Sequence, residues 1–443
     1  MSNKRILVIS HNPISLKQNN GKTLKSFLYN IEPSQIAQIY INGEYIDYAS
    51  CKVFYKINEI NIFKRIFKRN NSIGELIYSH SYKKYNFSNK TSSSKNKIKN
   101  ILSVVFKKTL KLPFFELLRN FFWKISNPIN DKNLMLFLDE FKPEIILYQA
   151  SNIPNFSSFV MGIKRKTNAQ LVMTITDDYL TKKYSFSVLD YYRTSIINKK
   201  YKECIENSKA VLVIGEKMLM EYKKKFPNGK YYIAMNSYDS SINSVKYKPK
   251  DDKFVILYAG NLGLSRWKTI VKLGKILDDI NINKKIELRV CSLSKIDYFM
   301  KKEFSKVKCL SFLGGLNSED LKLEKDYSDL LLHVESFNKK DILTTRLSIS
   351  TKIFEYINSN RSILAIGPKN IASIEYISKY QLGFTITEKN YKKWNNEVLK
   401  ILQNEEQFLT YINNCKIISE KTFNSQKNIS KIQKIIFGDD LVE

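Results

Sequence analysis

At 443 residues the chain has room for two domains of ordinary size, and a hydrophobic content of 43% excludes a wholly disordered polypeptide. No apolar run reaches the roughly 18 residues of a membrane span, and the start, MSNKRILVISHNP, turns polar too early for a signal peptide. Seventy-three Lys and Arg against 42 Asp and Glu give a net charge of +31, which points to an anionic partner, while three histidines (His11, His80, His333) are too few and too scattered for a His-rich metal site.

The first predicted strand is RILVIS, followed by a polar loop and Gly21-Lys22-Thr23. Strand, loop, GKT and helix is the order of a P-loop, but that loop needs a glycine five residues before Gly21, where Leu16 stands. Gly21 therefore needs another explanation. From Lys52 to Lys124 there are 17 basic residues and three acidic ones (Glu59, Glu75, Glu116), so about half of the charge excess falls in one sixth of the chain. This marks residues 50–130 as a basic insertion. Its middle is poor in apolar residues and reads as mobile. Its end predicts an amphipathic helix with Ile98, Ile101, Val105 and Leu110 opposite Lys97, Lys99, Lys107, Lys108 and Lys111. Pro113 breaks it, and a second helix follows with Phe114, Phe115, Phe121, Phe122 and Trp123.

Three more apolar runs, Glu144 to Ala150, Ala169 to Asp178 and Ala210 to Gly215, read as buried parallel strands, with a helix expected around Ser187 to Asn207. After the charged segment Lys246 to Lys253 a second series begins: FVILYAG, KIELRVCS, VKCLSFLGG, DLLLHVE, RSILAIG and GFTIT. Strands alternating with helices predict two α/β domains with doubly wound parallel sheets. The expected boundaries are 1–248 for the first domain and 249–425 for the second, with a tail helix over 426–443. Cys51, Cys204, Cys291, Cys309 and Cys415 lack paired spacing and read as buried free thiols.

Two stretches of the second half carry chemistry. In YAGNLGLSRWKTI, Gly260, Asn261 and Gly263 follow a strand, and Arg266 and Lys268 stand where a helix begins. Ligands of doubly wound domains bind outside the carboxyl ends of strands, and a helix start suits a phosphate. An ordinary glycine turn with solvated cations fits those residues equally well. In TTRLSISTKIFEYINSNRSILAIGP, Ser348, Ser350 and Thr351 suit the start of a helix running from about Lys352 to Asn358. Glu355 lies one turn in, where a carboxylate could accept both hydroxyls of a ribose. The plain alternative is a surface glutamate.

Taken in order, GNLG, then FLGGL, then STKIFEY resemble the donor domain of GT-B glycosyltransferases of family 4. The resemblance covers most of the chain outside residues 50–130. It implies two Rossmann-like domains facing across a cleft, with a nucleoside-diphosphate sugar as co-substrate and no other cofactor or metal. It further implies that Arg266, Lys352 and the amides of Ser350 and Thr351 hold the diphosphate, beside Asn261. Glu355 would bind the ribose, Gly314 and Gly315 would lie along the base, and Gly21 would approach the donor phosphates. Asp177 or Asp178 would position or deprotonate the acceptor.

Two positions depart from the pattern: Leu347 stands where many members have a first glutamate, and Asn261 where many have arginine. The implied reaction is retaining hexosyl transfer to a glycan or lipid-linked acceptor, in surface polysaccharide or capsule assembly. It would take place in the cytoplasm or at the inner face of the plasma membrane. The basic, aromatic stretch suits an anionic membrane surface, although its apolar positions could equally pack on the first domain. A nucleotide-sugar epimerase on the same scaffold and a basic nucleic-acid binder are the rival classes. No acid–base pair for the former and no nucleic-acid-reading module for the latter is found in the sequence.

Overall fold

The computed structural model of the chain describes residues 4–14, 19–43, 46–78, 113–179, 188–235, 253–280, 285–422 and 425–438. The chain divides into two compact units, Met1–Ala234 together with Ser430–Glu443, and Met235–Ile429. The expected 248/249 boundary, the mobile middle of the insertion and the amphipathic helix over 97–111 all lie outside the described residues.

The first unit is built on an eight-stranded sheet: β1 (Ile6–Ser10), β2 (Ile36–Tyr40), β3 (Val53–Ile57), β4 (Gly74–Tyr78), β5 (Ile145–Gln149), β6 (Gln170–Ile175), β7 (Ala210–Val213) and β8 (Tyr231–Ile233). Their order is β4-β3-β2-β1-β5-β6-β7-β8, parallel throughout except for β4 against β3. The order reverses between β1 and β5, where a doubly wound sheet opens its binding crevice.

The span 50–130 is not one insertion. Val53, Phe54, Tyr55 and Ile57 are buried in β3, and β4 and the helix Glu59–Phe67 also fall inside it. Averaging charge over the window hid this local apolar run. Trp123 of the helix Pro113–Ser126 is buried edge-on against Phe156 and Phe159. The helix Ser425–Phe437 adds Ile432, Ile435, Ile436 and Phe437 to the same core as β1 and β5. Gln433 fixes its register by donating Nε2–H to the carbonyls of Phe27 and Tyr29 at 3.3 and 2.7 Å.

The second unit contains β9 (Lys253–Ala259), β10 (Lys285–Cys291), β11 (Leu310–Gly314), β12 (Leu330–Val334), β13 (Ser362–Ile366) and β14 (Gly383–Ile386). All are parallel in the order β11-β10-β9-β12-β13-β14. Counted within the unit this is 3-2-1-4-5-6, the Rossmann order, with its reversal between β9 and β12. All six of its strands correspond to the six apolar runs of the sequence. All five cysteines are free and buried, as their spacing predicts. Among the described residues no helix is long and apolar enough to cross a membrane.

Candidate functional site

At the carboxyl edge of the second sheet, the loop after β9 is fastened by its own side chains. Tyr258 Oη donates to the Asn261 carbonyl at 2.7 Å, and Asn261 Oδ1 accepts from the Gly263 amide at 2.6 Å and the Ser294 hydroxyl at 3.3 Å. A Cβ on Gly263 would stand 2.8 Å from that oxygen, so a side chain here would displace the Asn261 carboxamide. Asn261 thus shapes the loop. Leu264 and Ser265 follow in left-handed conformations, φ 53° and 55°, each at a cost of about 1–3 kcal/mol. They deliver Arg266 to the first position of the helix Arg266–Ile280.

Arg266 does not extend into solvent. Its Nε donates to the Val334 carbonyl at 3.1 Å and its Nη2 to Glu335 Oε2 at 3.1 Å. Glu335 is 2% exposed and follows β12 directly, its own amide bonded to the Ile366 carbonyl. His333 Nε2 lies 3.4 Å from Glu335 Oε1. Burial alone would raise the Glu335 carboxyl, but the His333 imidazole and the Arg266 guanidinium outweigh it, and the group titrates below the usual carboxylate range. Arg266 Nη1 makes no hydrogen bond among the described residues, so the guanidinium is fixed on one side and open on the other.

The second helix start, Thr351–Ile357, is pinned from below by Tyr356. Its buried hydroxyl reaches the Ala259 amide at 3.3 Å and the Leu332 carbonyl at 3.4 Å, tying the helix to β9 and β12. Ser350 caps the helix by accepting from the Lys352 amide at 3.4 Å. Its own amide is occupied, donating to Ser373 Oγ at 3.0 Å. The Thr351 amide has no acceptor among the described residues. Lys352 Nζ pairs with Glu355 Oε2 at 3.0 Å, and the Glu355 side chain is 8% exposed. Leu347 is fully buried, so the position of the absent first glutamate belongs to the core.

Gly314 ends β11 at φ +72° with open space where a side chain would be, and its carbonyl accepts from the Ser292 amide at 2.7 Å. A Cβ on Gly315 would meet Leu293 Cδ2 at 2.3 Å, and Leu293 is itself 87% exposed. The sequence reading passed over Glu335, His333, Ser373 and Leu293. A signal for the first two was present: His333 and Glu335 alternate on one face at the end of an otherwise apolar strand.

In the first unit Gly21 is buried in the first turns of the helix Asn19–Phe27, with Thr23 buried beside it. Asp177 is half-buried and accepts from Tyr179 Oη at 3.2 Å, whereas Asp178 is fully buried. Burial and then the Asp178 charge push the Tyr222 phenol upward. Two groups not foreseen lie at the ends of β1 and β5. The His11 ring is lowered in basicity mainly by burial and shares a 3.0 Å contact with Asn42, but its Nδ1 has no partner among the described residues. The Gln149 carboxamide is 2% exposed, and neither its Oε1 nor its Nε2 is hydrogen-bonded among the described residues. A buried amide without partners is costly and calls for an explanation.

No family model matches the chain, and no curated protein matches it. Solved structures do. Sucrose-phosphate synthase from Thermosynechococcus elongatus superposes with a TM-score of 0.61 at 10% identity, over 98% of each chain. HepE of Anabaena, in complex with UDP, gives 0.59 at 10% identity over 98% of this chain and 100% of that one. A glycosyltransferase from Rickettsia africae gives 0.61 at 13% identity over 99% and 100%. The likeness is one of fold: the chain has the architecture of GT-B glycosyltransferases, two α/β domains with parallel sheets.

Proposed function

We propose that the chain is a glycosyltransferase that moves a hexosyl group from a nucleoside-diphosphate sugar to a glycan or lipid-linked acceptor, with retention, as members of family 4 do. The observation that carries this reading is the carboxyl edge of the Rossmann-ordered sheet. There a helix-start amide with no acceptor among the described residues (Thr351), the Lys352–Glu355 pair and an arginine held on one side (Arg266) come from elements attached to β9 and β12.

The difficult step of such a reaction is departure of the diphosphate as charge grows on its oxygens. Donors already fixed in place stabilise that charge without reorganising. Arg266 fits this role because Glu335 and the Val334 carbonyl hold its plane, leaving Nη1 for a phosphate oxygen. Lys352 and the Thr351 amide supply the second grip, and Glu355 takes the ribose diol. The Ser350 amide contributes through Ser373, by fixing the helix start. Gly314 and Gly315 give the base a flat backbone floor, with Asn261 shaping the neighbouring loop. On this reading no metal ion is needed, and EDTA leaves the rate unchanged. UDP is the first nucleotide to try, since HepE was solved with UDP and with UDP-glucose.

Acceptor binding is assigned to the first unit. Of the two aspartates, the half-buried Asp177 is the better placed to take a hydroxyl proton, and Asp178 supports it from the core. Surface polysaccharide assembly on the cytoplasmic side of a membrane is the setting this chemistry suits.

Calorimetry with UDP, GDP, ADP, CDP and dTDP tests the donor site. One nucleotide should bind, Glu355→Ala should weaken it about ten-fold, and Arg266→Ala should lower the transfer rate by about 10²-fold or more. Absence of binding by any nucleoside diphosphate would remove the proposal. Release of free nucleoside diphosphate without any acceptor dependence would instead favour a different enzyme on this scaffold.

A further inference from the structure

The helices Glu59–Phe67 and Pro113–Ser126 of the first unit lie against each other, joined by the ion pair of Arg119 with Glu59 and by the Phe63 and Phe122 rings, whose centroids are 5.0 Å apart. One side of the pair faces the core through Ile62 and Trp123. The other side leaves large apolar groups in water. Phe67 is 75% exposed and Phe121 54%, and Ile60, Phe63 and Ile125 are exposed with them.

Among the described residues, the charges of these two helices and of Lys68 and Arg69 that make no ion pair are all positive. Both carboxylates of the two helices are committed, Glu59 to Arg119 and Glu116 to Arg193. Lys64, Lys68, Arg69 and Lys124 are exposed and make no ion pair among the described residues. Residues 79–112, which connect β4 to the second helix, add nine lysines and no Asp or Glu to the same part of the sequence.

We infer that this face docks on an anionic lipid surface, with Phe67, Phe121 and Ile125 entering the headgroup boundary and Lys64, Lys68 and Lys124 meeting lipid phosphates. Aromatic rings beside lysines on helices lying flat is the pattern of interfacial binding. A second copy of the chain fits less well, because a two-fold contact would bring the same cations face to face. Nucleic acid also fits less well. Ile60 and Ile125 offer no ring face for a base, and Phe63 is packed edge-on against both Phe67 and Phe122.

The inference rests on this surface alone, and its test uses neither nucleotide nor acceptor, so its failure leaves the transferase reading standing. The full chain is sedimented with vesicles of phosphatidylcholine alone and with equal parts phosphatidylglycerol. Binding should require phosphatidylglycerol and weaken as salt rises. Lys64→Glu with Lys68→Glu should reduce it by about ten-fold or more, since each basic residue near such a surface is worth about five-fold. Phe67→Ser with Phe121→Ser should reduce it comparably while near-ultraviolet circular dichroism stays unchanged. Wild-type binding by either double variant overturns the proposal, as does equal binding to both vesicle types. So does sedimentation velocity showing a dimer that Phe67→Ser abolishes, which would assign the face to self-association.

Discussion

Glu335 shows how much a single side chain can decide at the donor edge. Its folded-state titration lies below the ordinary value of 4.5, so its pair with Arg266 contributes stability above that pH and loses it as pH falls through the lowered value. Glu335→Gln leaves the Arg266 charge without its partner and should cost on the order of 3 kcal/mol near neutral pH. The gap to wild type should close under acid, as the pH falls through that lowered value. Urea midpoints at neutral and acid pH read this directly.

Gln149 predicts the opposite balance. If its unpaired carboxamide waits for an acceptor hydroxyl, Gln149→Leu should leave stability unchanged or raise it by about 1 kcal/mol, while transfer falls about ten-fold. Thermal unfolding and the transfer rate, measured together, separate that role from a merely structural one. At this scale the sequence was a partial guide. It marked Thr351, Lys352 and Glu355 through capping and helical spacing, which are local. It gave Arg266 without its partner, because Glu335 lies 69 residues away and only the strand order brings the two together.

Elements were more legible where burial is complete on both faces. In the second unit β9, β12 and β13 are runs rich in Val, Ile and Leu, buried on both faces apart from Lys253. β2, β3, β4 and β8 were passed over for definite reasons. IAQIY and VFYKI are short and interrupted by polar residues, β4 is a half-buried edge strand, and YYI is only three residues long. The helix Thr351–Ile357 is short too, with seven residues and little stability of its own. It depends on Tyr356 for its place over β9 and β12. Tyr356→Phe should therefore cost about 1 kcal/mol of stability and weaken nucleotide binding several-fold by loosening the Thr351 amide. Calorimetry of the variant checks it, and unchanged affinity would mean that packing by Phe354 and Ile353 suffices.

For the whole molecule, charge and architecture give separate messages. The +31 balance says nothing of fold, and it misled where it was averaged, folding β3 into an apparent insertion. The alternation of strands and helices, by contrast, is set by the need to cover both faces of a parallel sheet, and it makes the two-sheet architecture legible in the sequence. The likeness to solved glycosyltransferases at 10–13% identity has the same basis, since a sheet order can persist after almost every side chain has changed.

Ile432, Ile435 and Ile436 belong to the core of the first unit although residues 235–429 separate them from the rest of it. On the ribosome, then, this unit emerges early with an unfilled socket and must wait for the whole second unit before it can close. Synthesis stopped at residue 424 should yield a chain whose first half stays sticky and proteolysis-prone, even with every strand of its sheet present.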